Sequence, residues 1–599
     1  MSDQPKEQIE FGKEWSQNKK SGPVECLGMT FEDDDARREY FLNILREKLK
    51  DPEFRKTEGF PIGKDEDILA LSDPPYYTAC PNPFIEDFIN LYGKPYDSNE
   101  KYNREPFAAD VSEGKNDPIY NAHSYHTKVP HKAIMRYILH YTEPGDVVFD
   151  GFCGTGMTGV AAQLCGDRKT VESLGYRVLP DGIILDEGGN PFSKLGARYA
   201  ILNDLSPAAT FIAYNYNTPV DVHAFEQEAR RMLKEVEEEC GWMYETIHTD
   251  GKTKGRINYT VWSDVFVCPE CTKELIFWEC AVDKDEGKVN SDFPCPHCGV
   301  NLTKRNMERA WITKFDKVIN QTIKQAKQVP VLINYTVNGK RYEKTPDDFD
   351  YELIDRIEKN DIPYWSPIDR MPEGDESRRN DKLGITHVHH FYTKRGLIAL
   401  ASFVNKARSN IIRSLWVATA VTEGSSRLNR ERPFGLPSKL SGTLYISSMI
   451  REIDVLAFIG RKIGKYETKG KNLYALSGCQ STTEDINKEE SIDYIFTDPP
   501  FGGNLMYSEL NFLWEAWLKV FTNNKSEAIE NKVQGKGLAE YQELMTQCFE
   551  EYHRVLKPGR WMTVEFHNSK NSVWNAIQEG LQRAGFVIAD VRTLDKQQG

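Results

Sequence analysis

Three short stretches of this sequence carry side chains whose types and spacing can do chemistry. The first is Asp498-Pro499-Pro500-Phe501, which ends the apolar run "IDYIFT". Proline has no N–H to give to a sheet ladder, so two in succession leave an edge made only of acceptors, the Asp498 carboxylate and a proline carbonyl. Such an edge suits an –NH2 group, and Phe501 adds a flat apolar face on which a planar ring can stack. The bland alternative is an exit turn with Asp498 capping the next helix. The second stretch follows "VVFD": Gly151-Phe152-Cys153-Gly154-Thr155-Gly156-Met157-Thr158-Gly159. Glycines there let the backbone turn sharply and approach a ligand, with a helix N-terminus supplying N–H groups. The loop fits a nucleotide-like cofactor, although the next strand-end acid, Asp204, lies farther on than a dinucleotide fold asks. The third stretch is a pair of CxxC knuckles, Cys268/Cys271 and Cys295/Cys298, whose thiolates suit a closed, tetrahedral structural Zn2+. Cys280 and His297 sit nearby and read as an extra thiol and a knuckle residue, not as further ligands.

Elements must position these groups. A chain of 599 residues, 39% apolar and 28% charged, is too long for one core and predicts two or more domains. The N-terminus has no apolar h-region and no run approaches ~18 apolar residues, which argues against export or membrane spanning and predicts a cytoplasmic protein. Its 12 cysteines are too sparse for a disulfide framework, so close-spaced pairs read as metal ligands. A net charge of −14 argues against a wholesale polyanion binder and leaves room for a local basic surface. "HKAIMRYILHY" predicts an amphipathic helix, "VVFD" a strand, and "YAILND" a second strand closed by Asp204. After a broken middle, strand "DYIFT", two helices, a "KPG" turn, strand "RWMTVEF", a helix and strand "FVIADV" complete the pattern. Strands separated by helices predict an α/β fold with a mostly parallel sheet. The boundaries fall at 1–115 (an N-terminal extension), 116–225 (the cofactor half), 226–375 (an insertion with the cysteines), 376–470 (a helical, basic connection) and 471–599 (the catalytic half).

Together the proline edge and the glycine loop resemble the S-adenosylmethionine-dependent DNA amino-methyltransferases, which methylate adenine N6 or cytosine N4. The resemblance covers about 115–220 and 470–597, with "HTKVPHKAI" ahead of the glycine loop. It implies a Rossmann-like methyltransferase fold with a mostly parallel twisted sheet, interrupted by a large zinc-ribbon-containing insertion that carries target recognition. It further implies that His126, Thr127, Lys128, Asp150, Phe152, Gly154, Thr155, Gly156 and Thr158 bind the cofactor and that Asp204 holds its ribose. Asp498 and the Pro499 carbonyl would accept from the target amine, with Pro500 stiffening the edge and Phe501 stacked on a base flipped out of double-stranded DNA. Adenine is favoured because Asp opens the motif. Cytosine N4, an RNA base, a protein amide, or a non-catalytic zinc-ribbon DNA binder are the alternatives. A restriction or phage-defence partner belongs to the family's usual roles, and no residue here specifies one.

A second copy of the proline motif, Asp73-Pro74-Pro75-Tyr76, follows "ILAL", but no obvious strand continues after it, so the expectation rests on Asp498. DNA contacts are expected from Arg427, Arg430, Arg432 and Lys439 and from the basic run 461–471. The histidines of "THVHHF" lack partner cysteines or carboxylates in sequence and read as satisfied core residues. The resembled fold closes its sheet with an antiparallel strand after "FVIADV", so a C-terminally truncated reading frame is expected.

Overall fold

The computed structural model describes residues 22–283, 285–407, 411–433, 439–463, 475–483, 486 and 488–592. Most of the 461–471 run lies outside them, as do residues 593–599. The described residues form two compact units, 223–463 and a second assembled from 22–222 and 475–592. The strands that matter are, in chain order, β1 (Tyr77–Thr78), β2 (Val147–Asp150), β3 (Tyr199–Asp204), β4 (Lys254–Val267), β5 (Gln328–Val337), β6 (Met449–Ile453), β7 (Ala475–Cys479), β8 (Ile492–Thr497) and β9 (Leu556–Val564). The helices are α1 (Asp34–Lys48), α2 (His131–Tyr141), α3 (Met157–Leu164), α4 (Pro207–Asn217), α5 (Tyr507–Leu518), α6 (Leu538–Val555) and α7 (Asn571–Arg583).

The discontinuous unit is built on a six-stranded sheet in the order β9-β8-β2-β3-β7-β1, and every pairing in it is parallel. β2 and β8 are buried at every residue, as strands covered on both faces must be. The period of two divides them: Val148, Leu202, Tyr494 and Phe496 join one core with α2 and α3. Val147, Phe149, Ile201 and Ile495 join the opposite core with α6 and α7. Chain order runs outward one way through β3 and β7, then resumes on the other side of β2 with β8 and β9. The switch point therefore lies between β2 and β8, where α/β sheets open a crevice at their C-terminal ends.

Two expectations change, and one apolar run that carried no assignment is now placed. "ILAL" belongs to a helix, Asp65–Leu71, with three acids in its first turn, so the two proline motifs follow different elements. The "KPG" turn is absorbed into β9, where Gly559 takes φ +74° and a register irregularity falls against β8. "FVIADV" forms no strand: Val587 and Val591 remain 90% and 60% exposed, and Asp590 bonds to Arg592 at 2.7 Å. The expected antiparallel closing strand is absent among the described residues.

The 223–463 unit centres on an antiparallel sheet in which β4 pairs with both β5 and β6. Through β6 and the helices Lys394–Asn405 and Val455–Ile463, the expected connecting region is part of this unit.

Candidate active site

The glycine loop is held by its own carboxylates. Asp150, at the end of β2, accepts from the Thr158 hydroxyl at 2.5 Å and the Phe152 N–H at 3.2 Å. Asp204, at the end of β3, accepts from Gly154 N–H and Ser206 N–H, both at 2.9 Å. Burial pushes Asp150 up to about 7 and Asp204 up to about 6, the latter against the lowering effect of those two N–H bonds. Asp498 leaves β8 at the same end of the sheet, next to β2. The three carboxylates line one cavity with Tyr125, Thr127, Lys128, Phe152, Gly154, Thr155, Thr158, Pro500 and Tyr507. Its free space is about 100 Å³.

Several side chains behave otherwise than expected. Phe501 is 8% exposed and meets Phe566 edge-on at 5.6 Å, in the core under α7, and the cavity's lining omits it. Its ring is committed to packing, and the aromatic side chains that line the cavity are Tyr125, Phe152, Phe496 and Tyr507. Gly156 is also set back: at φ +71° a Cβ would stand 2.7 Å from Ala213 Cβ, so it is the crossing of α3 and α4 that requires glycine there. At Gly154, φ +49°, an added Cβ would meet only the Tyr125 ring, at 3.4 Å. His126 lies behind the wall, its Nε2 2.9 Å from Asn511 Oδ1. Asn511 donates to Ser206 Oγ, and that hydroxyl to the buried Glu515. Lys128 donates at 2.8 Å to the His123 carbonyl.

No sequence motif marks Tyr507, whose hydroxyl is 3.0 Å from Thr127 Oγ1, or Ser526 and Glu527, which also line the cavity. The hydroxyls of Thr155 and Ser526 are buried in its wall without a hydrogen-bond partner. Two unmet donors beside these acceptor carboxylates fit a polar, nucleoside-bearing ligand.

The first proline motif is fully occupied. Asp73 accepts from Arg37 Nη1 at 2.8 Å and from the Tyr214 hydroxyl at 2.6 Å, and Arg37 also donates to the Pro74 carbonyl at 2.7 Å. The same guanidinium lies 4.5 Å from the Tyr76 ring. Both acceptors that an amine would need are engaged, and none of the four residues lines the cavity. β1, which follows the motif, is the edge strand, four strand spacings or about 19 Å from β8.

Residues 13–177 match the DNA methylase family. The match supports the amino-methyltransferase family and, through it, S-adenosylmethionine as methyl donor and DNA as substrate. It takes in the first proline motif and the glycine loop and ends before Asp498, so it leaves the choice of motif to geometry. No curated protein and no solved structure matches the chain. No helix among the described residues is long and apolar enough to cross a membrane.

In the other unit the four cysteines converge. Cys268 and Cys298 Sγ are 3.7 Å apart, Cys271 and Cys295 Sγ 3.8 Å, and all four sulfurs lie within 4.8 Å of one another. A tetrahedron with Zn–S bonds of ~2.3 Å has edges of about 3.8 Å, so the spacing fits zinc. Thr272 and Gly299, each just past the second cysteine of its knuckle, take φ +57° and +77° and fold the backbone around the sulfurs. Cys280 stays outside the cluster, and His297 is turned to the Glu274 carbonyl.

The histidines find a carboxylate after all: Asp316 Oδ2 lies 2.8 Å from Nε2 of both His389 and His390. His390 Nδ1 faces the Thr386 N–H at 3.2 Å and must accept, which puts its proton on Nε2, toward Asp316. That tautomer makes the His390–Asp316 contact a hydrogen bond. Of the arginines expected to touch DNA, Arg427 is turned inward onto Gln328 Oε1 at 2.5 Å, and Lys439 is paired with Glu423. Arg430 and Arg432 make no ion pair among the described residues.

Proposed function

We propose that the protein is an S-adenosylmethionine-dependent DNA methyltransferase acting on adenine N6, with Asp498-Pro499-Pro500 as the amine-binding edge and a structural zinc on Cys268, Cys271, Cys295 and Cys298. The observation that carries this reading is the meeting of Asp150, Asp204 and Asp498 in one cavity at the sheet's switch point.

When bound, the cofactor supplies an electrophilic methyl on a sulfonium. Asp150, Phe152, Gly154 and Thr155 would surround its methionine and sulfonium part, and Asp204 would accept from the ribose hydroxyls. The target base has to leave the duplex to reach Asp498, at a cost of a few kcal/mol. Tyr507, instead of Phe501, offers a face for it. An exocyclic amine is a weak nucleophile because its lone pair is delocalised into the ring. Asp498 and the Pro499 carbonyl, accepting from its two hydrogens, favour a pyramidal nitrogen and offset the positive charge that grows on it. In-line transfer then needs proximity and electrostatics and no covalent enzyme intermediate. The adenine preference rests on Asp, where Ser is commoner for cytosine enzymes. Incubation with labelled methyl donor and duplex DNA, followed by nucleoside analysis, should give N6-methyladenine. N4-methylcytosine would overturn the base assignment, and label in neither base would overturn the function.

A further inference from the structure

Among the described residues of the 223–463 unit, uncompensated positive charge gathers around a cleft of about 440 Å³ lined by Phe277, Ser291, Lys304, Arg430, Arg432 and Ser448. We propose that this cleft seats a phosphate of the DNA backbone, an inference that rests on the methyltransferase reading above.

Four observations point there. First, the segment bearing the arginines is fixed: Glu431 N–H donates to the Met449 carbonyl and Arg451 N–H to the Asn429 carbonyl, lacing it to β6. In such an extended segment residues i and i+2 share a face, so Arg430 and Arg432 project together. Second, the one carboxylate in the cleft wall, Glu431, is already neutralised by Arg451, which reaches it through Nε and, at 2.8 Å, through Nη2. Third, Ser448 is 2% exposed with no partner for its hydroxyl, and Arg430 Nε is buried without an acceptor. Buried donors are rarely left unmade in a native protein, and here two are left in the wall of one cleft. Fourth, Lys304 Nζ lies 5.5 Å from the Phe277 ring, and burial, with Arg309 adding to it, holds its ammonium below the usual range. An anion would relieve that cost.

The donor set is that of an oxyanion site: guanidinium forks, an ammonium and a hydroxyl around one void. Arg432 stands at the solvent lip while Arg430 and Ser448 lie deeper, so a phosphate carried on a long backbone can enter from outside. In a chain of net charge −14, such a local excess sets this face apart as a place for a polyanion.

The test uses the full chain and a fluorescent duplex, with affinity measured from about 50 to 200 mM salt, where counterion release dominates. Arg430→Gln with Lys304→Gln should weaken binding about tenfold or more at low salt and make the slope of log K against log salt shallower by about one for each phosphate that is no longer neutralised. S-adenosylmethionine affinity should be unchanged. An unchanged slope would overturn the phosphate seat and leave the methyltransferase reading standing. Should the double variant fold poorly, Arg432→Gln at the lip carries the same expectation. Inorganic phosphate that raises the melting temperature, with the DNA slope unaltered in the variants, would mark a free-anion site and also overturn the proposal. A wild-type chain that binds no duplex would instead bring down the proposed function, and this inference with it.

Discussion

Asp498 and Asp73 open the same tetrapeptide pattern and meet opposite surroundings, which makes them a matched pair for experiment. Removing an acceptor from the amine should cost roughly 10²–10³ in rate, by analogy with loss of one oxyanion-hole donor. Asp498→Ala should therefore lose nearly all methyl transfer while melting like the parent and still binding cofactor. Asp73→Ala leaves Arg37, 1% exposed, with only the half-exposed Asp34 as its carboxylate, and losing the buried partner of such a pair costs up to about 3–5 kcal/mol. It should melt well below the parent yet keep its turnover per folded molecule. A reversed ranking in activity would move the chemistry to the first copy. The glycines divide similarly. Gly154→Ala should weaken cofactor binding at the modest stability cost of a side chain at φ +49°, about 1 kcal/mol, whereas Gly156→Val should lower the melting temperature much further, because its side chain would also collide with α4. Equally large losses of melting temperature for the two would refute that division. Asp204 adds a pH dependence. Its folded pKa is raised to about 6, so the stability it contributes is present at low pH and lost as pH rises through about 6. Cofactor affinity should run the other way, since ribose hydroxyls need an ionised acceptor. Calorimetry from about pH 5 to pH 7.5 should show affinity rising, and Asp204→Asn should remove its share of the rise and leave the part set by Asp150, held at about 7.

At the scale of elements, what the sequence made legible was what a buried parallel strand must look like. "VVFD" and "IDYIFT" are apolar almost throughout because both faces are covered, and each leads into an acid that the cavity uses. The cysteine knuckles were legible because thiolate spacing is a local property. What escaped depends on distant partners. β1 has only two residues and is a strand because β7 lies beside it. "ILAL" is too short for periodicity to separate helix from strand. Phe501 reads as a stacking face because nothing local announces Phe566, 65 residues later, as the ring it packs against. The carboxylate for His389 and His390 comes from Asp316, more than 70 positions earlier. "FVIADV" has strand composition, yet composition cannot supply pairing.

At the scale of the molecule, the two units have separate cores, and this separates their chemistry. The cluster that includes Cys268 and Cys295 draws its other members, Phe266, Phe277, Phe293 and Met449 among them, wholly from the 223–463 unit. The cofactor cavity draws every lining residue from the other unit. Metal held by four thiolates contributes its binding energy to folding, because the unfolded chain has no preformed site. Chelation, or Cys268→Ser, should therefore remove one zinc per chain, lower the melting transition assigned to the 223–463 unit and abolish DNA binding. S-adenosylmethionine affinity should persist, since Asp150, Asp204 and the glycine loop belong to the other unit. Metal analysis with calorimetry on the same sample decides the matter. Absence of zinc from freshly purified protein would remove the metal from the account. Zinc loss accompanied by loss of cofactor binding would show that the sheet cannot hold its site without the cysteine-bearing unit.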